Sequence, residues 1–169
     1  MTNKQAQTAP DLALQHEVEQ FLFRQSELLD NKQWQSYIDL FQPEQGMYWM
    51  PLLPSHTHWD GTPSIFVEDV DLMTVRMKRV THPNAWSQAA HWATHHLLGA
   101  TLIEEHQGDS LSTYTPFQMM EVRRDRVRHF GGSYRHHLVR QDGHWKIRLQ
   151  RVDLFNAQAS FDYVIQAWI

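Results

Sequence analysis

Hydrophobic positions along the chain change period once, from helical to extended, close to residue 94. Before that point Leu14, Val18, Phe21, Leu22, Leu28 and Leu29 recur every three or four residues, and Gln25 alone breaks the stripe. The spacing predicts an amphipathic helix over residues 11–30. Asp30 and Asn31 interrupt it, and Asp30 is expected to cap the next helix. Trp34, Tyr37, Ile38 and Phe41 form that helix's apolar face, which Pro43 and Gly46 end. Met47 to Met50 reads as a short strand, and 51–64, with its prolines and Gly61, as a loop. A third helix is predicted over 68–80, carrying Val70, Met73, Met77 and Val80. Glu68, Asp69 and Asp71 stand at its start and Arg76, Lys78 and Arg79 at its end, the order that complements the helix dipole. Residues 81–93 read as irregular.

Beyond residue 94 the period is two. Strands are predicted over 95–104, 110–123 and 127–140. A fourth follows the Gln141-Asp142-Gly143 turn, with Trp145, Ile147 and Leu149 alternating with Lys146, Arg148 and Gln150. Pro116 implies an edge position or a bulge, and Gly131-Gly132 a bulge or bend. Three helices with one early strand, then a meander, predict an α+β fold. The expected form is a cone: a strongly curved mixed or antiparallel sheet with the helices on its concave side. It would be a single domain over 11–169, preceded by a polar tail over 1–10. The absence of strand–helix alternation argues against a doubly wound nucleotide-binding fold.

Composition narrows the chemistry. At 169 residues the chain can bury one sizeable core. It has no cysteine, which excludes disulfides, thiolate zinc sites, cysteine-ligated iron–sulfur clusters and a cysteine nucleophile. A net charge of −4 offers no basic excess for nucleic acid. The polar start and the lack of a long apolar run lead us to expect a soluble, cytoplasmic protein. Aromatic residues make up 12% of the chain, enough to fill a core and cover an interface. Trp49, Trp59, Trp86, Trp92, Phe161 and Trp168, with Arg135 and Arg151, are the interface candidates. The apolar run from Phe161 to Ile169 is expected to dock on its own sheet or on a neighbour. His91 and His95 have the spacing of a helical metal pair, but neighbouring histidines on a strand point to opposite faces. The pairs His95–His96 and His136–His137 are therefore read as ordinary hydrogen-bonded histidines, and no metal site is expected.

Five stretches, taken in order, carry a family likeness. They are Glu17-Val18-Glu19-Gln20-Phe21-Leu22-Phe23-Arg24 running on to Leu28-Leu29-Asp30 and Trp34; Leu40-Phe41 with Tyr48-Trp49-Met50-Pro51; and Glu68-Asp69 with Leu72, Arg76 and Arg79-Val80. The others are Trp86 with Thr94-His95-His96-Leu97, and Leu138-Val139-Arg140-Gln141-Asp142-Gly143 with Trp145-Lys146-Ile147, Arg151-Val152 and Asp153-Leu154. The order of elements resembles the cone fold of nuclear transport factor 2, scytalone dehydratase and ketosteroid isomerase. Within that group the chain resembles the small (beta) subunit of Rieske-type aromatic-ring-hydroxylating dioxygenases. It departs at Ala89-Ala90-His91-Trp92-Ala93-Thr94-His95-His96, where the family has a proline- and arginine-containing stretch.

A Rieske [2Fe-2S] cluster takes two cysteines and two histidines, and the mononuclear Fe(II) takes two histidines and a carboxylate. The resemblance therefore implies that both centres lie on a separate alpha subunit. This chain would be its non-catalytic companion in an alpha-3 beta-3 hexamer, with a beta trimer as the form possible alone. NADH would supply electrons through a reductase and ferredoxin. The reaction implied is cis-dihydroxylation of a benzoate-like acid or an aromatic hydrocarbon. The scytalone dehydratase likeness offers an alternative: a stand-alone dehydratase or isomerase using Asp30, Tyr48 and His95 or His96 inside the cone.

Overall fold

Asp11 starts the first helix by accepting hydrogen bonds from the backbone N–H groups of Ala13 and Leu14 on its carboxylate. The computed structural model describes residues 11–85, 91–160, 164–166 and 168–169. Helix α1 (Leu12–Asp30) buries Val18, Leu22, Gln25, Leu28 and Leu29, so the predicted stripe is the buried face, including its polar member. Lys32, with φ of 56°, turns the chain sharply into α2 (Trp34–Ile38). Asp30 does not cap that helix, contrary to expectation. Gln33 holds the cap position and makes no side-chain bond there, while the Asp30 carboxylate points to a strand described below.

The strands are β1 (Met47–Pro51), β2 (Ser64–Asp69), β3 (Trp92–Leu98), β4 (Leu102–Gln107), β5 (Ser110–Arg123), β6 (Arg126–Gln141) and β7 (His144–Leu154). They form one sheet in the order β2-β1-β7-β6-β5-β3, with β4 also paired to β5. All pairings are antiparallel except β1 with β7, so the sheet is mixed. Asp142 and Gly143, with φ of 52° and 80°, make the two-residue turn between β6 and β7. The α+β expectation holds.

Strand β2 was not legible in the sequence. Glu68 and Asp69 resemble a helix start, but only Asp69 acts as one, capping α3 (Val70–Thr81) by accepting from the Leu72 N–H. Glu68, like Phe66, is an inward residue of β2. It takes the Arg76 guanidinium, with Nε at 2.7 Å, and the Trp168 indole N–H at 3.0 Å. The strand predicted over 95–104 is two strands, broken at Gly99. Pro116 faces that break and accepts the Gly99 N–H on its carbonyl, so its missing N–H removes no bond to β6.

Of the bulge or bend expected at Gly131-Gly132, a bulge against β5 is absent, because the β5–β6 register runs through it unshifted. Gly132 serves a close approach instead: a Cβ there would lie 2.0 Å from the Asp153 carbonyl oxygen. The bulge lies further along, where His137 pairs with Leu149 and Leu138 with Ile147, leaving Arg148 as an extra residue. One extra residue reverses the inward phase of β7. Trp145 and Ile147 face inward as predicted, but beyond the bulge Gln150, Val152 and Leu154 do, so Gln150 is buried rather than outward.

The core joins Val18, Leu22, Leu29, Tyr37 and Phe41 of the helical layer to Leu111, Phe117, Met119, Tyr134, Leu138 and Ile147 of the sheet. Each such large side chain contributes about 1.5–3 kcal/mol on burial. Ile165, Trp168 and Ile169 dock on the same core, with Trp168 against Trp34 and Tyr37. Within the described part of the apolar C-terminal run these three residues therefore pack on the chain's own fold, while Val164 stays 74% exposed. No helix among the described residues is long and apolar enough to cross a membrane.

Candidate functional site

The rival catalytic set divides. Asp30, at the end of α1, takes the Thr94 hydroxyl at 2.9 Å, the His96 backbone N–H at 2.9 Å and His96 Nδ1 at 2.6 Å. His96 faces inward with its ring fully buried. His95 faces outward, 75% exposed, and comes within only 3.7 Å of Asp30. Tyr48 is buried elsewhere: its hydroxyl donates to the Ile169 carbonyl and accepts the Ile169 N–H. Burial raises the Tyr48 phenol far above its ordinary range, so it stays protonated. Asp30 and His96 thus form a tether between α1 and β3, while Tyr48 and His95 have other surroundings.

Burial works to raise the Asp30 pKa, but the hydrogen bonds and charge of His96, with the Thr94 hydroxyl, outweigh it and hold the carboxyl below its ordinary 3.8. A lowered folded-state pKa gives stability that is complete above the unfolded value and is lost as pH falls through the folded one. Asp30→Asn turns an amide N–H2 toward donors that now meet oxygen. It should lower stability by about 2 kcal/mol at neutral pH. It should also flatten the stability loss that the natural protein shows below about pH 4. Denaturant titrations from neutral pH to pH 3 check both.

The outward face of the sheet gathers most of the described interface candidates. Tyr114 on β5, Arg135 on β6, Arg151 on β7 and Trp49 on β1 are direct neighbours in register. The Arg135 guanidinium lies 5.1 Å from the Tyr114 ring centroid and that of Arg151 4.6 Å from Trp49. Arg151 is fully engaged within the chain. It forks onto Asp153 at 2.7 and 2.8 Å and donates to the carbonyls of His56 at 2.6 Å and Pro54 at 2.9 Å. It fastens the 51–64 segment over Trp49, which is buried, with its indole N–H on Ser64 and its ring edge-on to Trp59. Trp59 remains 39% exposed and Arg135 47%, the latter paired with Glu104 at the rim.

Two depressions adjoin this row. One, of about 570 Å3, lies between Arg135, Arg151, Ser133 and Leu52. The other, of about 820 Å3, has Gly131, Gly99 and Pro116 at its floor and Leu97, Met120, His95 and His129 around it. Among the described residues no carboxylate lines the second. Phe155, 86% exposed, borders both. Phe155 carried no signal in the sequence, and Gly131 was read there only as a bulge or bend, because their places in this face depend on the register of β6 with its neighbours.

Trp92 lies outside this face, half-buried on Trp34 with Lys32 over its ring. Trp168 is buried in the core. Trp86 and Phe161 lie outside the described residues. No three His, Asp or Glu side chains gather around a possible metal position among the described residues. With no cysteine, the chain's donors do not fit a Rieske cluster.

A family model described as "Ring hydroxylating beta subunit" matches residues 24–160. The beta subunit of biphenyl 2,3-dioxygenase from Rhodococcus jostii is 26% identical over 69% of this chain and 65% of that relative. The beta subunit of benzene 1,2-dioxygenase from Pseudomonas putida is 30% identical over 59% of this chain and 56% of its own. The chain thus spans about two thirds or less of these curated relatives. Among solved structures, the beta subunit of benzoate 1,2-dioxygenase from Burkholderia mallei superposes with a TM-score of 0.72 at 23% identity, over 94% of this chain and all of the other.

Proposed function

The chain belongs to the ring hydroxylating beta subunit family, and from that premise we propose that it is the non-catalytic small subunit of an aromatic-ring-hydroxylating dioxygenase. Its partner is a large alpha subunit carrying the Rieske cluster and the mononuclear iron. The observation that carries this reading is the lack of any cysteine for a Rieske cluster, coupled to an outward sheet face with exposed apolar side chains. Leu97, Met120 and Phe155 stand open there, and Phe155 lines one depression with Arg135. An exposed apolar patch with aromatic and arginine anchors is the composition of a partner interface. We assign this face, from Trp59 and Arg135 to the Gly131 depression, to the alpha subunit.

The small subunit's task is then mechanical. It presents a rigid surface on which three alpha subunits are arranged in an alpha-3 beta-3 hexamer. Electrons from NADH reach the complex through a reductase and ferredoxin, and the complex cis-dihydroxylates a benzoate-like acid or an aromatic hydrocarbon in the cytoplasm. The dehydratase reading draws less support. Only Asp30 and His96 of its four residues are joined, and Trp168 and Ile169 fill the core next to Tyr37 and Tyr48.

The test is turnover. The purified chain alone should convert no aromatic compound with NADH and a reductase. The same chain co-expressed with its alpha subunit should form a cis-diol from benzoate or benzene. Turnover by the isolated chain would overturn the companion-subunit reading.

A further inference from the structure

Several buried polar atoms on the inner face of the sheet have no hydrogen-bond partner among the described residues, and four of them lie together. The four are Thr113 Oγ1, the Tyr134 hydroxyl, and Nδ1 and Nε2 of His136. They are neighbours by register. Thr113 lies directly opposite His136 across β5 and β6, and the Tyr134 and His136 rings meet edge-on with centroids 5.8 Å apart. On its other side His136 is opposite Gln150, whose amide is already engaged by the Tyr37 hydroxyl and the Ile169 carbonyl. Native interiors satisfy nearly all such groups, because a buried donor or acceptor left alone is strongly destabilising.

The chemistry of the missing partner can be read from the set. Burial lowers the His136 pKa to about 3, so the imidazole is neutral at physiological pH, with one nitrogen donating and the other accepting. Burial raises the Tyr134 phenol well above its ordinary range, so it keeps its proton and both donates and accepts, as the Thr113 hydroxyl does. A charged guest would find no counter-charge among these three groups and would pay the full cost of desolvation. A purely apolar guest would leave all four atoms unmatched. What suits them is a group that is neutral and both gives and takes a hydrogen bond.

We propose that Thr113, Tyr134 and His136 form an internal binding site for a neutral hydroxyl-bearing molecule, enclosed between the helices and strands β5 and β6. Water and a small alcohol or phenol share that chemistry. The proposal is independent of the subunit assignment, because none of the three residues belongs to the outward face.

A crystal structure of the purified full chain tests it, together with thermal melting of Thr113→Val and His136→Phe. Non-protein density should lie about 2.7–3.2 Å from Thr113 Oγ1 and from a His136 nitrogen. A single sphere identifies water, and an extended shape identifies the alcohol or phenol. Thr113→Val nearly keeps the side-chain shape while removing one bond to the guest, so the midpoint should fall by about 2–4 °C. His136→Phe should fall further. If no guest binds, both variants only remove unmatched polar atoms, and Thr113→Val melts at or above the natural protein. That result overturns the proposal even if His136→Phe fails to fold. So does density at the site belonging to the chain's own residues, or no density at all.

Discussion

Replacing Gly131 by phenylalanine is expected to leave the small subunit folded and to abolish its co-purification with the alpha subunit. Gly131 is not held by the reasons that usually hold a strand glycine. Its φ is not positive, and a Cβ there would meet nothing closer than 3.9 Å, the Phe117 carbonyl oxygen and the Phe155 ring edge. A glycine inside a strand costs about 0.5–1 kcal/mol relative to alanine, so the fold by itself would be better served by a side chain. What glycine does provide is the open floor of the 820 Å3 depression beside the exposed Leu97 and Phe155. A phenyl ring fills that floor and bars an anchoring side chain of the partner. Loss of a central anchor in an interface is worth about 2–4 kcal/mol, or roughly 30-fold to 1,000-fold in affinity. The melting midpoint of the isolated variant should stay within a few degrees of the natural protein. Undiminished co-purification would remove the depression from the partner face.

Gly132, one residue on, should behave in the opposite way. Its Cβ would stand 2.0 Å from the Asp153 carbonyl oxygen, 3.0 Å from that carbonyl's carbon and 3.2 Å from the Leu154 Cα. These are backbone atoms of the neighbouring strand and cannot rotate away. Gly132→Ala must therefore part β6 from β7 where Gly132 pairs with Leu154, next to the buried Tyr134 and Val152. The expected loss is about 4 kcal/mol or more, in the range reserved for severe core strain. The midpoint should fall by roughly 10 °C, and soluble yield with it. An unchanged midpoint would mean that the two strands do not approach as described. The two expected results together distinguish a glycine required by the fold from one proposed to leave room for the partner.

Local pattern sufficed where one element decides its own fate. The Leu14-to-Leu29 stripe, the alternation over 110–123 and the Asp142-Gly143 turn all proved sound. The pattern failed where distant parts decide. Glu68 looked like a helix-dipole residue because its true partners, Arg76 and Trp168, lie 8 and 100 residues away. Asp30 looked like a cap because Thr94 and His96, 64 and 66 residues on, could not be placed beside it. Gln150 looked outward because a single bulged residue, Arg148, reverses the phase of its strand. The candidate face was legible only as a set of residue types. Trp49, Trp59, Arg135 and Arg151 could be named, but the rung shared by Trp49, Arg151 and Arg135 follows from register, and the structure shows two of them, Trp49 and Arg151, bound up in supporting the 51–64 segment. The missing cysteine was the most telling sign in the sequence: it excluded a Rieske cluster from this chain, and together with the family resemblance it implied a second polypeptide for the redox centres.

Native mass measurement of the chain co-expressed with its alpha subunit tests the central claim most directly. One complex is expected, holding the two subunits in equal number, three of each. A chain that always weighs as itself or as a complex of its own copies, with alpha subunit present and folded, would contradict it.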